Sequence, residues 1–224
     1  MADDLHIGFL LFPNLTQLDL TGPYEVLKTV KDSKLHLIWK TRGPVRSDSG
    51  MEILADTTFA DCPDLDIICV PGGPGQIDLM EDEETLAFLR DKAKTCRYVT
   101  SVCTGSLVLG AAGLLKGYRA TSHWTVVDLL SAYGATPVRD RVVIDRNRIT
   151  GGGVTAGIDF GLRLYAELRG EEAAKIRMLG IEYDPAAPFK GGSLNSAEPD
   201  IIEKTSALMA GRTAKRRAQA ERAS

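Results

Sequence analysis

Cys103 stands out among the residues able to do chemistry. It lies in Ser101-Val102-Cys103-Thr104-Gly105-Ser106, where the apolar run RYVTSV (97–102) passes without a linker into CTGSLVLGAAGLL (103–115). The first segment reads as a buried strand and the second, nearly free of charge, as a buried helix. A side chain at so tight a junction is held up from the backbone, as in nucleophile elbows. Unpaired N–H groups at a helix start favour thiolate over thiol and can bring a cysteine pKa from ~8.5 into the range ~3.5–7.5. The competing reading is a core cysteine that happens to begin a helix. Cys62 precedes Pro63 in a loop, Cys69 lies inside a buried run and Cys96 at a strand entry, positions that packing alone explains.

Two further features could serve a nucleophile. Asp19 sits in QLDLTGP between Leu18 and Leu20, just after the first strand-like segment. A carboxyl among apolar neighbours has a raised pKa and can act as a general acid near neutrality. Asp is equally suited to capping a helix. Gly72 and Gly73 end the run LDIICVPGG (65–73) and could offer backbone N–H groups to a developing negative charge, or form a plain turn. His123, in ATSHW, either approaches the same region or caps and packs; the structural role is favoured. The four cysteines and three histidines show no short ligand spacing, so no metal is expected. Neither G-x-G-x-x-G opening a helix nor G-K-[ST] occurs, and no cofactor is expected.

These residues need elements to position them. HIGFLLF (6–12), KLHLIWK (34–40), LDIICV (65–70) and RYVTSV (97–102) read as strands, and VVID and RIT (142–150) as short strands around an Arg-Asn turn. LTGPYEVLKTV (20–30) reads as a helix with Thr21 as cap and Pro23 in its first turn. EDEETLAFLRDKAKT (81–95), HWTVVDLLSAYG (123–134), VTAGIDFGLRLYAEL (154–168) and EEAAKIRMLGIEY (171–183) read as further helices. The span 43–59 suggests a hairpin. Alternating strands and helices predict an α/β fold: a mainly parallel central sheet with helices on both faces, a flavodoxin-like sandwich. The loops at 72–75, 103–105 and 151–153 would then meet at the carboxyl ends of the strands, where such sheets bind ligands. A single α/β domain is expected over 1–199. Residues 200–224 are expected as a polar helix packed on or extending it, with Lys215-Arg216-Arg217 on a solvated face.

Composition narrows the function classes. With 224 residues, 44% hydrophobic and a formal net charge of −3, neither nucleic acid nor an anionic membrane is an expected partner. No stretch approaches a membrane span, and the acidic amino end lacks the basic region of a secretory signal, so a cytoplasmic protein is expected.

The motifs GFLLFP, LDLTGPYEVL, D-x-x-x-V-P-G-G (Asp66 to Gly73), SVCTGSLVLGAAGLL and TGGGVTAGID resemble the ThiJ/PfpI superfamily over about residues 5–183. That resemblance implies a class I glutamine amidotransferase-like fold, a homodimer and a reactive cysteine at the elbow. Within the superfamily, LIWK, TFADCP, MEDEETLAFLR, ATSHW and TGGGVTAGIDF look most like the bacterial isocyanide hydratases. The branch implies Cys103 as nucleophile, Asp19 as acidic partner, Thr104 as polar neighbour, backbone donors from Gly72-Gly73, and a small-molecule isocyanide as substrate. Protease-like members carry histidine after the cysteine and many members use a glutamate; Thr104 and Asp19 stand at those places. Two other readings remain: a ligand-sensing domain of the kind fused to DNA-binding modules, which would need a further module of roughly 100 residues, and an oxidation sensor in which Cys103 forms a sulfinate.

Overall fold

The computed structural model describes residues 4–223. In chain order the elements are β1 (Leu5–Leu10), α1 (Gln17–Leu27), β2 (Ser33–Trp39), β3 (Gly43–Arg46), β4 (Glu52–Ala55), β5 (Thr57–Thr58), β6 (Ile67–Val70), α2 (Gln76–Leu79) and α3 (Glu83–Lys92). There follow β7 (Tyr98–Val102), α4 (Gly105–Ala111), β8 (Arg119–Ala120), a 3-10 helix (Val127–Tyr133), β9 (Thr136–Pro137), β10 (Val142–Asp145), β11 (Arg148–Gly151), α5 (Ala156–Arg169), α6 (Glu171–Gly180) and α7 (Pro199–Ala223).

Seven strands form the main sheet in the order β10-β11-β7-β6-β1-β2-β5. Every pairing is parallel except β10 with β11, whose hairpin turns at Arg146-Asn147. β6 is buried at every position and β7 at all but its first, as expected for central strands whose side chains are apolar on both faces. Helices flank this sheet: α1 packs on α5, α5 on α6, and α2 and α3 on α4. The fold is thus the expected mainly parallel α/β sandwich, and β3 and β4 form the expected hairpin beside it. Because β6, β7 and β11 run parallel, the loops after Val70, Val102 and Gly151 leave the same edge of the sheet.

Several boundaries differ from the sequence reading, three of them near the site. α1 begins at Gln17 with Thr16 as its N-cap residue, so Thr21 lies in the second turn and donates its hydroxyl to Gln17 at 2.9 Å. Pro23 lies inside the helix rather than in its first turn. The entry is set by a long-range bond, Thr16 N–H to Gly72 O at 2.9 Å, which no local pattern encodes. The helix expected from His123 starts only at Val127 and is 3-10 in form. Three consecutive β-branched residues, Thr125, Val126 and Val127, oppose an α-helical start there. α4 ends at Ala111 although the apolar run continues to Leu115.

Candidate active site

The elbow is present in the backbone. Cys103 follows β7 directly and adopts φ +56°, left-handed geometry that an L-residue holds at a cost of about 1–3 kcal/mol. Three hydrogen bonds fix it. The Cys103 N–H donates to Gly151 O at 3.0 Å, and its carbonyl accepts from Ser122 Oγ at 3.0 Å and Ser106 Oγ at 3.1 Å. A side chain at 105 is impossible without rearrangement, since a Cβ there would lie 2.0 Å from Val70 O. The elbow therefore presses against the end of β6.

Asp19 comes to this elbow from the first turn of α1 and is fully buried. It does not cap its helix; its Oδ2 accepts the Gly72 N–H at 3.0 Å. Burial pushes its pKa up to about 7, against the lowering effect of that bond and of the Cys103 thiol facing it. The Cys103 thiol is pushed well above its ordinary range, first by burial and then by the Asp19 charge. The two groups interact directly, yet Asp19 Oδ1 lacks an ideally placed hydrogen-bond partner. At neutrality Cys103 is therefore held as the thiol and Asp19 is partly protonated, where a separated carboxyl would be fully ionised. The expected lowering of the Cys103 pKa by the helix start is thus corrected: the backbone N–H of Thr104 does favour the thiolate, but desolvation and Asp19 outweigh it.

Thr104 is buried beside Cys103, and its Oγ1 accepts the Gly73 N–H at 3.1 Å. Both glycine N–H groups are therefore engaged by the acid and the hydroxyl, and neither is free for an oxyanion as the sequence reading expected. What these glycines supply is room. At Gly72 a Cβ would lie 2.6 Å from Thr104 N and Oγ1 and 2.8 Å from Asp19 Oδ2; at Gly73, with φ +133°, it would lie 2.4 Å from Thr16 N.

A further residue at this loop escaped the sequence reading. Arg216, expected on a solvated face of the terminal helix, is buried, 7% exposed. Its Nε donates to Gln76 Oε1 at 2.7 Å and its Nη2 to Gly73 O at 3.4 Å. Its neighbour Arg217 is the exposed one, paired with Asp128 at 2.9 Å. A 140-residue separation hides the contact from local pattern; the residues of α7 buried with Arg216 are Gln219 and Ala220, which nothing in the polar run sets apart.

His123 lies half-buried in a cleft of about 620 Å³ also lined by Ser122, Trp124, Gly152, Val154 and Leu194. Its Nδ1 meets Thr125 Oγ1 at 2.8 Å, and burial lowers its pKa to about 4, so the ring is neutral. A larger depression of about 960 Å³, between Gly110, Tyr133 and Arg222, contains none of the candidate residues. Among the described residues no group of three or more His, Cys, Asp or Glu side chains is arranged to hold a metal ion, and no helix is long and apolar enough to cross a membrane.

The sequence and the fold are matched by known proteins. The DJ-1/PfpI family model matches residues 6–167. The chain belongs to the DJ-1/PfpI family. It is 58% identical over 200 residues to the isonitrile hydratase of Pseudomonas putida, covering 89% of this chain and 88% of that one. A crystal structure of a ThiJ/PfpI family protein from Pseudomonas syringae superimposes with a TM-score of 0.95 at 46% identity, covering 97% of this chain and 90% of the other. The HTH-type transcriptional regulator GbdR of Pseudomonas aeruginosa is 33% identical over 174 residues; 74% of this chain aligns with only 47% of that regulator.

Proposed function

We propose that this protein is an isocyanide (isonitrile) hydratase, converting R–NC and water into the N-substituted formamide R–NH–CHO. The observation that carries the reading is a thiol on a strained elbow facing a buried acid with a pKa near 7, in a chain 58% identical to an isonitrile hydratase. An isocyanide's terminal carbon accepts a nucleophile and a proton together. With one proton shared by the two groups, transfer of the Cys103 thiol proton to the Asp19 carboxylate gives the reactive form, thiolate plus carboxylic acid.

Cys103 Sγ bonds to the terminal carbon and the Asp19 proton moves to the same carbon, leaving Asp19 ionised and a thioimidate, R–N=CH–S–Cys103. Water then adds to the C=N carbon. One of its protons ends on nitrogen, and as the C–S bond breaks the other returns to Asp19, releasing formamide and restoring thiolate and acid. Covalent catalysis divides one hard hydration into two easier additions. Thr104 and Gly72 hold Asp19 and the adjoining turn in register; Gly73 gives the turn its course. The R group lies in the cleft beside His123 and Trp124.

The enzyme works in the cytoplasm as a homodimer. The exposed apolar side chains Ile176 and Leu179 on α6 and Leu208 on α7 support an interface. Residues 1–199 act as one domain, and 200–224 complete it by laying Arg216, Arg217 and Gln219 against α2 and its surroundings.

Formamide formation from p-nitrophenyl isocyanide tests the proposal. Wild type should turn over, and Cys103→Ala should fall to background. A wild type without activity, its Cys103 still open to alkylation, would remove the hydratase reading.

A further inference from the structure

A buried guanidinium needs a reason. Transfer of a charge from water is costly unless it is paired, and buried arginines normally meet carboxylates. Among the described residues no carboxylate pairs with Arg216. Its hydrogen bonds go to two neutral oxygens, Gln76 Oε1 and Gly73 O, and Gln76 is itself fully buried, its Nε2 turned to Met80 Sδ at 2.6 Å. The charge is thus left unneutralised, and the turn it grips is the one whose N–H groups hold Asp19 and Thr104.

We propose that Arg216 is a positioning residue for the Cys103–Asp19 pair: from α7 its guanidinium clamps the Gly72-Gly73 turn and keeps an uncompensated positive charge facing the nucleophile. Gln76 is the neutral acceptor that holds the cation without cancelling it. The charged and titratable groups around the thiol are Asp19 from α1 and Arg216 from α7; Asp48 acts on Asp19, while Arg212, one turn earlier on α7, and neutral His123 face Arg216. Of these, Arg216 is the cation that favours the Cys103 thiolate. The helix that reads as a solvated appendage is therefore one wall of the site. This deepens the hydratase reading, on which it rests only for the meaning of turnover.

Carbamidomethylation of Cys103, followed against pH by peptide mass, tests it without any isocyanide. Arg216→Met should raise the midpoint by about one pH unit, making alkylation about tenfold slower at neutrality. Arg216→Lys keeps the charge and should stay within a few tenths of a unit of wild type. Gln76→Glu keeps Arg216 and its bond while placing a carboxylate on the guanidinium, and should raise the midpoint as Arg216→Met does. Arg217→Ala, on the exposed face of the same helix, should leave the midpoint unchanged. A Gln76→Glu protein at the wild-type midpoint overturns the proposal, whether or not Arg216→Met folds. A hydratase assay without turnover would leave these midpoints, and the inference, standing.

Discussion

Cys69 lies within β6 and Cys103 directly after its neighbour β7, at nearly equal depth, 0% and 6% exposed. Burial pushes Cys69 up to about 12 and Cys103 well above its ordinary range, so neither depth nor a lowered pKa separates them. The difference lies in what surrounds each sulfur. Cys69 sits in regular strand geometry within β6, beside Thr100, and has no place to turn. Cys103 stands on left-handed backbone at the sheet's edge, against an acid that can exchange a proton with it and a cation that favours its anion. A thiol made costly to ionise becomes useful when the proton has somewhere near to go.

The sharpest way to break this comparison is to take the proton's second station away. Asp19→Asn should lower formamide turnover by about 10²–10⁴-fold, the range of a lost general acid. The same substitution should stabilise the fold at pH 8. Asp19's folded pKa of about 7 lies above its ordinary 3.8, so between those values the native state binds more protons than the unfolded one. Stability from this group is full below about pH 4 and falls as pH rises toward 7. Asparagine carries no such penalty, and its melting temperature should exceed wild type at pH 8, by about 2–4 °C for each kcal/mol recovered, while the two converge near pH 4. Equal Tm values at pH 8 would mean that Asp19 is not held against its charge.

Gly72→Ala makes a smaller change at the same place. Its Cβ would press on Thr104 and on Asp19 Oδ2, so kcat should fall roughly 10–100-fold through misplacement of the acid. KM should change little, and wild-type kcat would show that the turn yields freely. The smallest effect is expected at the other cysteine: Cys69→Ala should leave kcat within twofold and cost about 1 kcal/mol in urea unfolding, the effect of a small deletion in a packed strand. A large loss of activity there would erase the contrast between the two thiols.

How much of this was legible follows the range of the interactions. The elbow could be read because strand, cysteine and small residues are contiguous from Tyr98 to Ser106, and the site edge because the loops at 72–75, 103–105 and 151–153 each follow a strand-like segment. Asp19 was legible as a buried acid since Leu18 and Leu20 enclose it. Its partner was not: whether it would cap α1 or accept from Gly72 depends on a bond across 53 residues. The same holds for the two glycine N–H groups, read as donors for substrate and found engaged by the protein. Arg216 was the largest miss. Lys215-Arg216-Arg217 in a polar helix looks uniform, and only packing against α2 divides it into one buried and one exposed arginine. The start of the 3-10 helix failed for a local reason, the β-branched Thr125-Val126-Val127 run, which could have been weighed.

The bond between Arg216 and the turn at Gly73 also orders events in time. β11, the latest-made strand of the sheet, ends at Gly151, so a growing chain can close its sheet and set its elbow while Arg216 has yet to be polymerised. At translation rates of about 5–20 residues per second, that interval lasts several seconds. During it Cys103 has its acid but not yet the cation that favours its thiolate, and the site gains that charge only when α7 docks.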